Sequence, residues 1–171
     1  MTPAALTFTP AATPAQWQTV AQLANEIWPS HYTPIIGSTQ VAYMLERFQS
    51  ARAIAAQVAG GMDYCLIESS GEAVGYLAFE LRGRELFLSK IYLRQSVRRG
   101  GLGRAAIDWL QSEAVKAGAE SIGLTVNRHN QVALSFYRAV GFCIVGTQVA
   151  EIGNGYVMDD YLLQLRLENC Q

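Results

Sequence analysis

Apolar residues recur along this chain with two different periods, and the change from one to the other separates a helical first third from a sheet-forming remainder. Thr13-Pro14 is a capping residue followed by proline, the start signal of a helix. Trp17, Val20, Ala21, Ala24, Ile27 and Trp28 then share one face, and Pro29 is expected to end the run. Ser30 to Ser38, with His31, Tyr32, Pro34 and Gly37, reads as a loop. A second helix is expected from about Thr39, with Val41, Met44, Leu45 and Phe48 on one side. Ala51 to Val58 makes a third, closed by Gly60-Gly61.

From Asp63 the alternation becomes that of strands. Asp63 to Glu68, Ala73 to Leu81 and Glu85 to Leu93, joined by turns at Ser69-Ser70-Gly71-Glu72 and Gly83-Arg84, predict an antiparallel meander. A helix from about Leu102 to Ala117, ended by Gly118, leads to a strand at Ser121 to Val126, which such a crossover sets parallel to the strand before it. Asn130 can cap a helix whose face is Val132, Ala133, Phe136, Tyr137 and Val140, ending at Gly141. Phe142 to Ile152 and Tyr156 to Leu167 turn at Gly153-Asn154-Gly155 as a final hairpin. No repeat or interdomain linker interrupts the 171 residues, so residues 1–171 are expected to be one domain. The pattern predicts a mixed α/β sheet with helices on its faces.

Half of the residues are hydrophobic and 16% are charged, a globular composition. A net charge of −1 argues against a general nucleic-acid binder. No apolar run reaches membrane-spanning length, and Met1 to Gln16 has neither the basic start nor the apolar core of a signal peptide. Cys65, Cys143 and Cys170 are odd in number and lack C-x-x-C spacing, so neither a disulfide framework nor a metal site is expected and a reducing cytoplasm is the default.

The basic residues do gather in one place, with Arg94, Arg98, Arg99 and Arg104 around three glycines at the start of a helix. Unpaired N–H groups and the positive end of the helix dipole suit a pyrophosphate there, and arginines add charge-assisted hydrogen bonds. Gly101-Leu102-Gly103-Arg104-Ala105-Ala106 matches a dinucleotide fingerprint, but its context is wrong. It follows antiparallel hairpins in mid-chain, a polar loop parts it from the strand, and Asn127 and Arg128 stand where an acidic ribose ligand belongs.

The longer pattern Arg98-x-x-Gly101-x-Gly103 resembles the acetyl-CoA pyrophosphate loop of the GCN5-related N-acetyltransferase (GNAT) family, Q/R-x-x-G-x-G/A. Asn130-Gln131-Val132-Ala133-Leu134-Ser135-Phe136-Tyr137-Arg138-Ala139-Val140-Gly141-Phe142 is similar to that family's N-x-x-A-x-x-F-Y-x-x-x-G-F signature, at the expected distance after Gly123 to Asn127. The order of elements agrees over nearly the whole chain. The resemblance implies an acyl-CoA N-acyltransferase fold, an α+β arrangement with a mixed, mostly antiparallel sheet of about six or seven strands and helices on both faces. One departure is Arg99, where the family often has glycine; it is either an extra phosphate contact or a solvated surface arginine.

In such a fold acetyl-CoA lies where the strands Glu85–Leu93 and Ser121–Val126 diverge. Pantetheine would pair with the backbone around Ile91, Tyr92 and Leu93, and the pyrophosphate would rest on amides from Arg99 through Gly100, Gly101, Leu102 and Gly103 to Arg104, beside Arg98. Asn130, Ala133 and Phe136 complete the implied cofactor contacts, although Asn130 also reads as a cap and Phe136 as core. The implied reaction is direct acetyl transfer from the thioester to an amine that has first lost a proton. Tyr137 is the implied general acid toward the CoA thiolate, and otherwise a core tyrosine.

The base stays open. Some relatives use a Glu on the fourth strand, but the matched position is Phe87; Glu85, Asp159, Asp160 or a water chain are the substitutes. Acceptor choice would fall to His31 to Ile36, to Gln40 to Leu45 and to the last hairpin, with Glu46, Asp159 and Asp160 suiting a cationic amine such as a polyamine. His31 reads as a base or a packing residue, and His129 as a bystander. A small amine or amino-acid acceptor leads; a protein N-acetyltransferase and a non-catalytic acyl-CoA sensor are the alternatives. A homodimer is open, since Tyr161 to Leu165 reads equally as an edge or an internal strand.

Overall fold

Thr13 caps the first helix as its place before proline predicts, with its hydroxyl accepting from Gln16 N while the Gln16 side chain accepts from Thr13 N. The computed structural model describes residues 5–167; Cys170 lies outside them. In order the elements are β1 (Leu6–Pro10), α1 (Pro14–Ile36), α2 (Ser38–Gln49), α3 (Ala51–Ala59), β2 (Asp63–Ser69), β3 (Glu72–Arg82) and β4 (Glu85–Leu93). A 3-10 turn (Gln95–Val97) leads to α4 (Leu102–Lys116), β5 (Ser121–Asn127), α5 (Gln131–Ala139), β6 (Cys143–Gly153) and β7 (Tyr156–Arg166).

The seven strands form one sheet in the order β1-β2-β3-β4-β5-β7-β6. β4 and β5 are parallel, Glu85 opposite Ser121, as the intervening helix requires. The pairs β1–β2, β2–β3, β5–β7 and β6–β7 are antiparallel. This is the mixed, mostly antiparallel sheet expected from the pattern. The hairpin turns use left-handed backbone at Ser70-Gly71 (φ 52° and 83°) and Asn154-Gly155 (φ 55° and 79°), which matches the twist of the flanking strands. β7 is internal and β6 takes the edge.

Three expectations are corrected. Pro29 does not stop α1, which runs through both Pro29 and Pro34 to Ile36, so His31 and Tyr32 sit on a helix rather than in a loop. Each interior proline costs about 3 kcal/mol. Against that, Trp28 is buried, its Nε1 donates to the Tyr76 hydroxyl at 3.0 Å, and its ring meets those of Tyr32 and Tyr92 at 5.3 Å. A buried Trp at ~150–250 Å² and ~25 cal/mol per Å² returns about 4–6 kcal/mol. Secondly, Leu6–Pro10 is a strand that the alternation did not reveal. Thirdly, α5 turns Leu134 inward and leaves Val132 74% exposed, so Val132 is not on its buried face.

Packing groups the chain into two compact units, one through Glu80 together with Lys90–Gly103, the other Leu81–Ser89 together with the chain from Arg104. The first buries Val20, Ile27, Trp28, Met44, Ile54, Ile67, Tyr76 and Leu77. It also buries Gln49, whose amide donates to the Tyr64 hydroxyl (3.1 Å) and accepts from that of Tyr76 (2.5 Å). The second buries Ile107, Leu110, Ile122, Leu124, Leu134, Phe142 and Leu163.

Candidate functional site

Within the first unit, β4 delivers Ile91, Tyr92 and Leu93, all partly exposed, to the head of the basic loop. Arg94 N donates to Val74 O (2.8 Å), which anchors the strand end on β3. Gly75 allows this approach: a Cβ there would collide with the Tyr92 carbonyl oxygen and the Leu93 side chain. Past the 3-10 turn the chain enters left-handed backbone at Arg99 (φ 70°) and again at Gly101 (φ 80°), and α4 starts at Leu102. Arg99, Gly100 and Gly101 are exposed, and Leu102 and Gly103 partly so. Successive N–H groups around left-handed residues at a helix start form an anion-binding concavity.

Arg99 therefore occupies a glycine-type conformation, which costs a side-chain-bearing residue about 1–2 kcal/mol. Replacing it with glycine relieves that strain but returns about 0.5–1 kcal/mol through the freer unfolded chain. Arg99→Gly is expected to raise Tm by about 1–4 °C in a calorimetric scan.

The Arg98 side chain points back along its own loop, Nε donating to Leu93 O at 3.2 Å. Arg94 is held by two carboxylates, Glu26 at 2.8 Å and Glu72 at 3.0 Å. Beside this loop the last turns of α1 carry His31 and Tyr32. The Tyr32 and Tyr92 hydroxyls share a 2.6 Å hydrogen bond, and the His31 ring lies 4.6 Å from that of Tyr32 and 6.3 Å from that of Tyr92. Burial, with the Arg98 charge second, holds the His31 imidazole below its ordinary value, so it is neutral at pH 7. β4 also carries Lys90, whose ammonium burial pushes down to about 8 against the attraction of Glu80. Glu46 is exposed on α2.

Within the second unit, the Asn130 side chain accepts from Ala133 N at 3.2 Å and starts α5, and Asn130 is itself buried. Ala133, Phe136 and Tyr137 are half-buried on that helix. The Tyr137 ring packs on Phe136 (5.3 Å) and edge-on against buried Phe142 (5.5 Å), whose N–H returns to Tyr137 O at 2.9 Å. Arg104 donates from its guanidinium to Ala139 O at 3.3 Å, satisfying a carbonyl in the last turn of α5. His129 is exposed, with its N–H on Asn127 Oδ1.

The carboxylates considered as bases have other attachments. Glu85 lies over Gly123, with Gln164 Nε2 donating to it at 3.2 Å and Ser121 Oγ at 3.5 Å. Phe87 faces the Arg82 guanidinium at 3.9 Å. Asp159 Oδ1 pairs with Arg128 Nε at 2.8 Å, although that N–H is not aimed along the contact. Asp160 is 2% exposed, opposite Asn127 and Gln148 in the sheet, and its Oδ1 has no hydrogen-bond donor among the described residues.

Desolvation first, and the Asp159 charge second, push the Asp160 carboxyl up to about 6, with the Thr125 hydroxyl opposing. A folded-state value raised above the unfolded one contributes stability that is complete below about pH 4 and lost as pH rises through 6. Asp160→Asn is accordingly expected to raise Tm at pH 7, with an advantage over the parent that shrinks toward pH 4. An advantage that stays constant across that range contradicts the assignment.

The Tyr32–Tyr92 pair and Lys90 were not reached from the sequence. The partners in the first are 60 positions apart, and the sequence after Pro29 predicts a loop at Tyr32. Among the described residues no helix is long and apolar enough to cross a membrane.

Comparison with known proteins places these features in a family. The model of the acetyltransferase (GNAT) family matches residues 17–142. An uncharacterised N-acetyltransferase of Mycobacterium bovis is 38% identical over 94 residues, which is 52% of this chain and 60% of that protein. The chain thus spans less than two thirds of the length of that relative. The PaiA N-acetyltransferase of Thermoplasma acidophilum, solved in complex with coenzyme A, superposes with a TM-score of 0.79 at 16% identity, covering 95% of this chain and 99% of that one. A GCN5-related N-acetyltransferase structure from Rhodopseudomonas palustris gives 0.80 at 17% identity, covering 98% and 99%. At these identities the likeness to both structures is one of fold.

Proposed function

The chain belongs to the GNAT family of acetyltransferases, and from that premise we propose that it transfers the acetyl group of acetyl-CoA directly to the amine of a small acceptor, such as a polyamine or an amino acid. The observation that carries this reading is the loop from Arg98 to Gly103. It combines left-handed backbone at Arg99 and Gly101 with the start of α4, in the register of the family's pyrophosphate motif. A diphosphate suits those N–H groups, and exposed Arg99 adds a positive charge to the loop. Ile91, Tyr92 and Leu93 would pair with pantetheine through their backbone, and α5 would supply Asn130, Ala133 and Phe136.

For the chemistry, the ammonium gives its proton to water; of the carboxylates, Glu85 accepts from Gln164, Asp159 is paired with Arg128 and Asp160 is buried. The amine lone pair then attacks the thioester carbonyl carbon. The carbon–sulfur bond breaks, and the departing thiolate takes the proton of the Tyr137 hydroxyl. The tyrosinate then recovers its proton, directly or through water, from the amide nitrogen, which still carries an extra proton after the attack.

The test is a calorimetric titration with acetyl-CoA of the parent protein and of Gly101→Val. Gly101 adopts φ 80°, which a β-branched residue cannot take without strain. The parent is expected to bind, and the variant to bind at least tenfold more weakly while still folding. A parent that binds no acetyl-CoA overturns the proposal.

A further inference from the structure

Within the second unit, β5 and β7 bring Thr125, Asn127 and Asp160 onto one face of the sheet. The register sets Asn127 opposite Asp160 and Thr125 opposite Leu162, so Thr125 and Asp160 are diagonal neighbours there. Thr125 and Asn127 are half-buried, while Leu124 and Val126 turn to the other face and are buried. We propose that Asp160 is the proton acceptor of the reaction and is reached through the Thr125 hydroxyl, so that the proton leaving the acceptor's ammonium ends on this carboxylate. The inference rests on the acetyltransferase reading above and completes its proton path.

Strand pairing puts Thr125 at an opening in the sheet. β4 accompanies β5 from Glu85 opposite Ser121 to Phe87 opposite Gly123. From Leu124 to Asn127, β5 keeps β7 on one side, and among the described residues no strand pairs with its other edge. Gly123 has no side chain, so Thr125 is the first side chain of its face beyond the last β4 pair. The divergence of these two strands is where the family reading lays acetyl-CoA. The chain then runs from Asn127 to Asn130, the cap of the helix that carries Tyr137. Both ends of the proton transfer are thereby built on β5, its partner β7 and the helix that follows.

Asp160 has the surroundings of a proton sink. It is buried and does not meet the acceptor itself. Its Oδ1 has no hydrogen-bond donor among the described residues, so the anion is poorly compensated and takes a proton readily. The Thr125 hydroxyl hydrogen-bonds to the carboxylate. Its partners across the sheet, Asn127 and Gln148, carry no charge, and Asn127 Oδ1 is occupied by His129 N. Asp159, the charge that acts on it, is paired with Arg128. The Asp160 carboxyl, raised to about 6, is ionised at pH 7 and able to accept. The steps balance with one water on Thr125. The ammonium gives a proton to that water, the water gives one to Thr125 Oγ1, and the hydroxyl passes its own to Asp160. The amine lone pair goes to the thioester carbon, and Asp160 later returns its proton to solvent.

The experiment follows kcat/KM from pH 5 to pH 9 in the parent, Asp160→Asn, Thr125→Val and Thr125→Ser. The acceptor is whichever of spermidine and a set of L-amino acids the parent acetylates. The parent is expected to rise as the carboxyl ionises, reach a level near pH 7 and hold it to pH 9. Without the base the neutral amine must come from solution, and its share grows about tenfold per pH unit below an alkyl amine's pKa of about 10.4. Asp160→Asn and Thr125→Val should therefore be about 10²-fold slower at pH 7 and recover about tenfold per pH unit. Thr125→Ser should keep the parent profile. Acetyl-CoA affinity by calorimetry should be the same in all four, and the higher Tm expected of Asp160→Asn excludes a folding defect. A deficit in Asp160→Asn that is equal at every pH overturns the inference, because a structural role acts that way. Parent-like turnover in Asp160→Asn overturns it too, as does a parent-like profile in Thr125→Val. In these three cases turnover by the parent leaves the acetyltransferase reading standing. A parent that binds acetyl-CoA but acetylates none of these amines overturns the inference together with the small-amine reading, and absence of acetyl-CoA binding removes the cofactor reading as well.

Discussion

Replacing Tyr137 with phenylalanine is expected to lower turnover by about 10²–10⁴-fold, the range of a positioned general acid, while leaving acetyl-CoA affinity within a factor of two. The ring is held by Phe136 and by buried Phe142, and a phenylalanine keeps both contacts. What is removed is the hydroxyl alone. The loss should fall on kcat, since the proton is needed only as sulfur departs. It should also shrink with a better leaving thiol, which needs less help from an acid. Steady-state kinetics with acetyl-CoA and one acceptor decide the matter: equal kcat in the two proteins removes the acid role from Tyr137.

The largest expected effect on stability comes from Gly75→Ala. The added methyl has no room, because its neighbours are the Tyr92 carbonyl oxygen and the Leu93 backbone and side chain, and a backbone wall does not rotate away. Overpacking of this kind costs about 1–3 kcal/mol, and the clash with main chain places Gly75→Ala at the upper end. A loss of about 3 kcal/mol in a chain of this length corresponds to a Tm lower by roughly 6–12 °C. The same substitution pushes out the strand end at Tyr92 and Leu93, so acetyl-CoA affinity should fall with it. Thermal denaturation and a binding titration on one sample separate the two. A Tm within 2 °C of the parent contradicts the close approach of β3 and β4 there.

Much of the molecule was legible because its signals are local. Asn154-Gly155 and Ser70-Gly71 demand left-handed turns, Gly118 ends α4, and Asn130 caps α5, and each acts within a few residues of itself. The loop from Arg98 to Gly103 was legible for the same reason. The misses share a cause of the opposite kind. Pro29 is a local stop signal overruled by Trp28 and Tyr32, whose contacts with Tyr76 and Tyr92 come from distant strands. β1 alternates for only five residues and ends in proline, so its evidence lies in its pairing with β2. In α5 both Val132 and Leu134 fit an apolar helix, and only packing chooses Leu134. The direction of the Arg98 side chain is likewise a tertiary fact: the sequence places a basic residue at the head of the loop, and only the fold sets its Nε on Leu93 O.

The most direct test of the account is the release of free thiol from acetyl-CoA across amino acids, polyamines and short peptides, with product masses recorded alongside. The account predicts stoichiometric thiol and an acceptor heavier by one acetyl group, for a small amine, lost on Tyr137→Phe. Thiol release without an acetylated amine, or no release from a protein that binds acetyl-CoA, would contradict it.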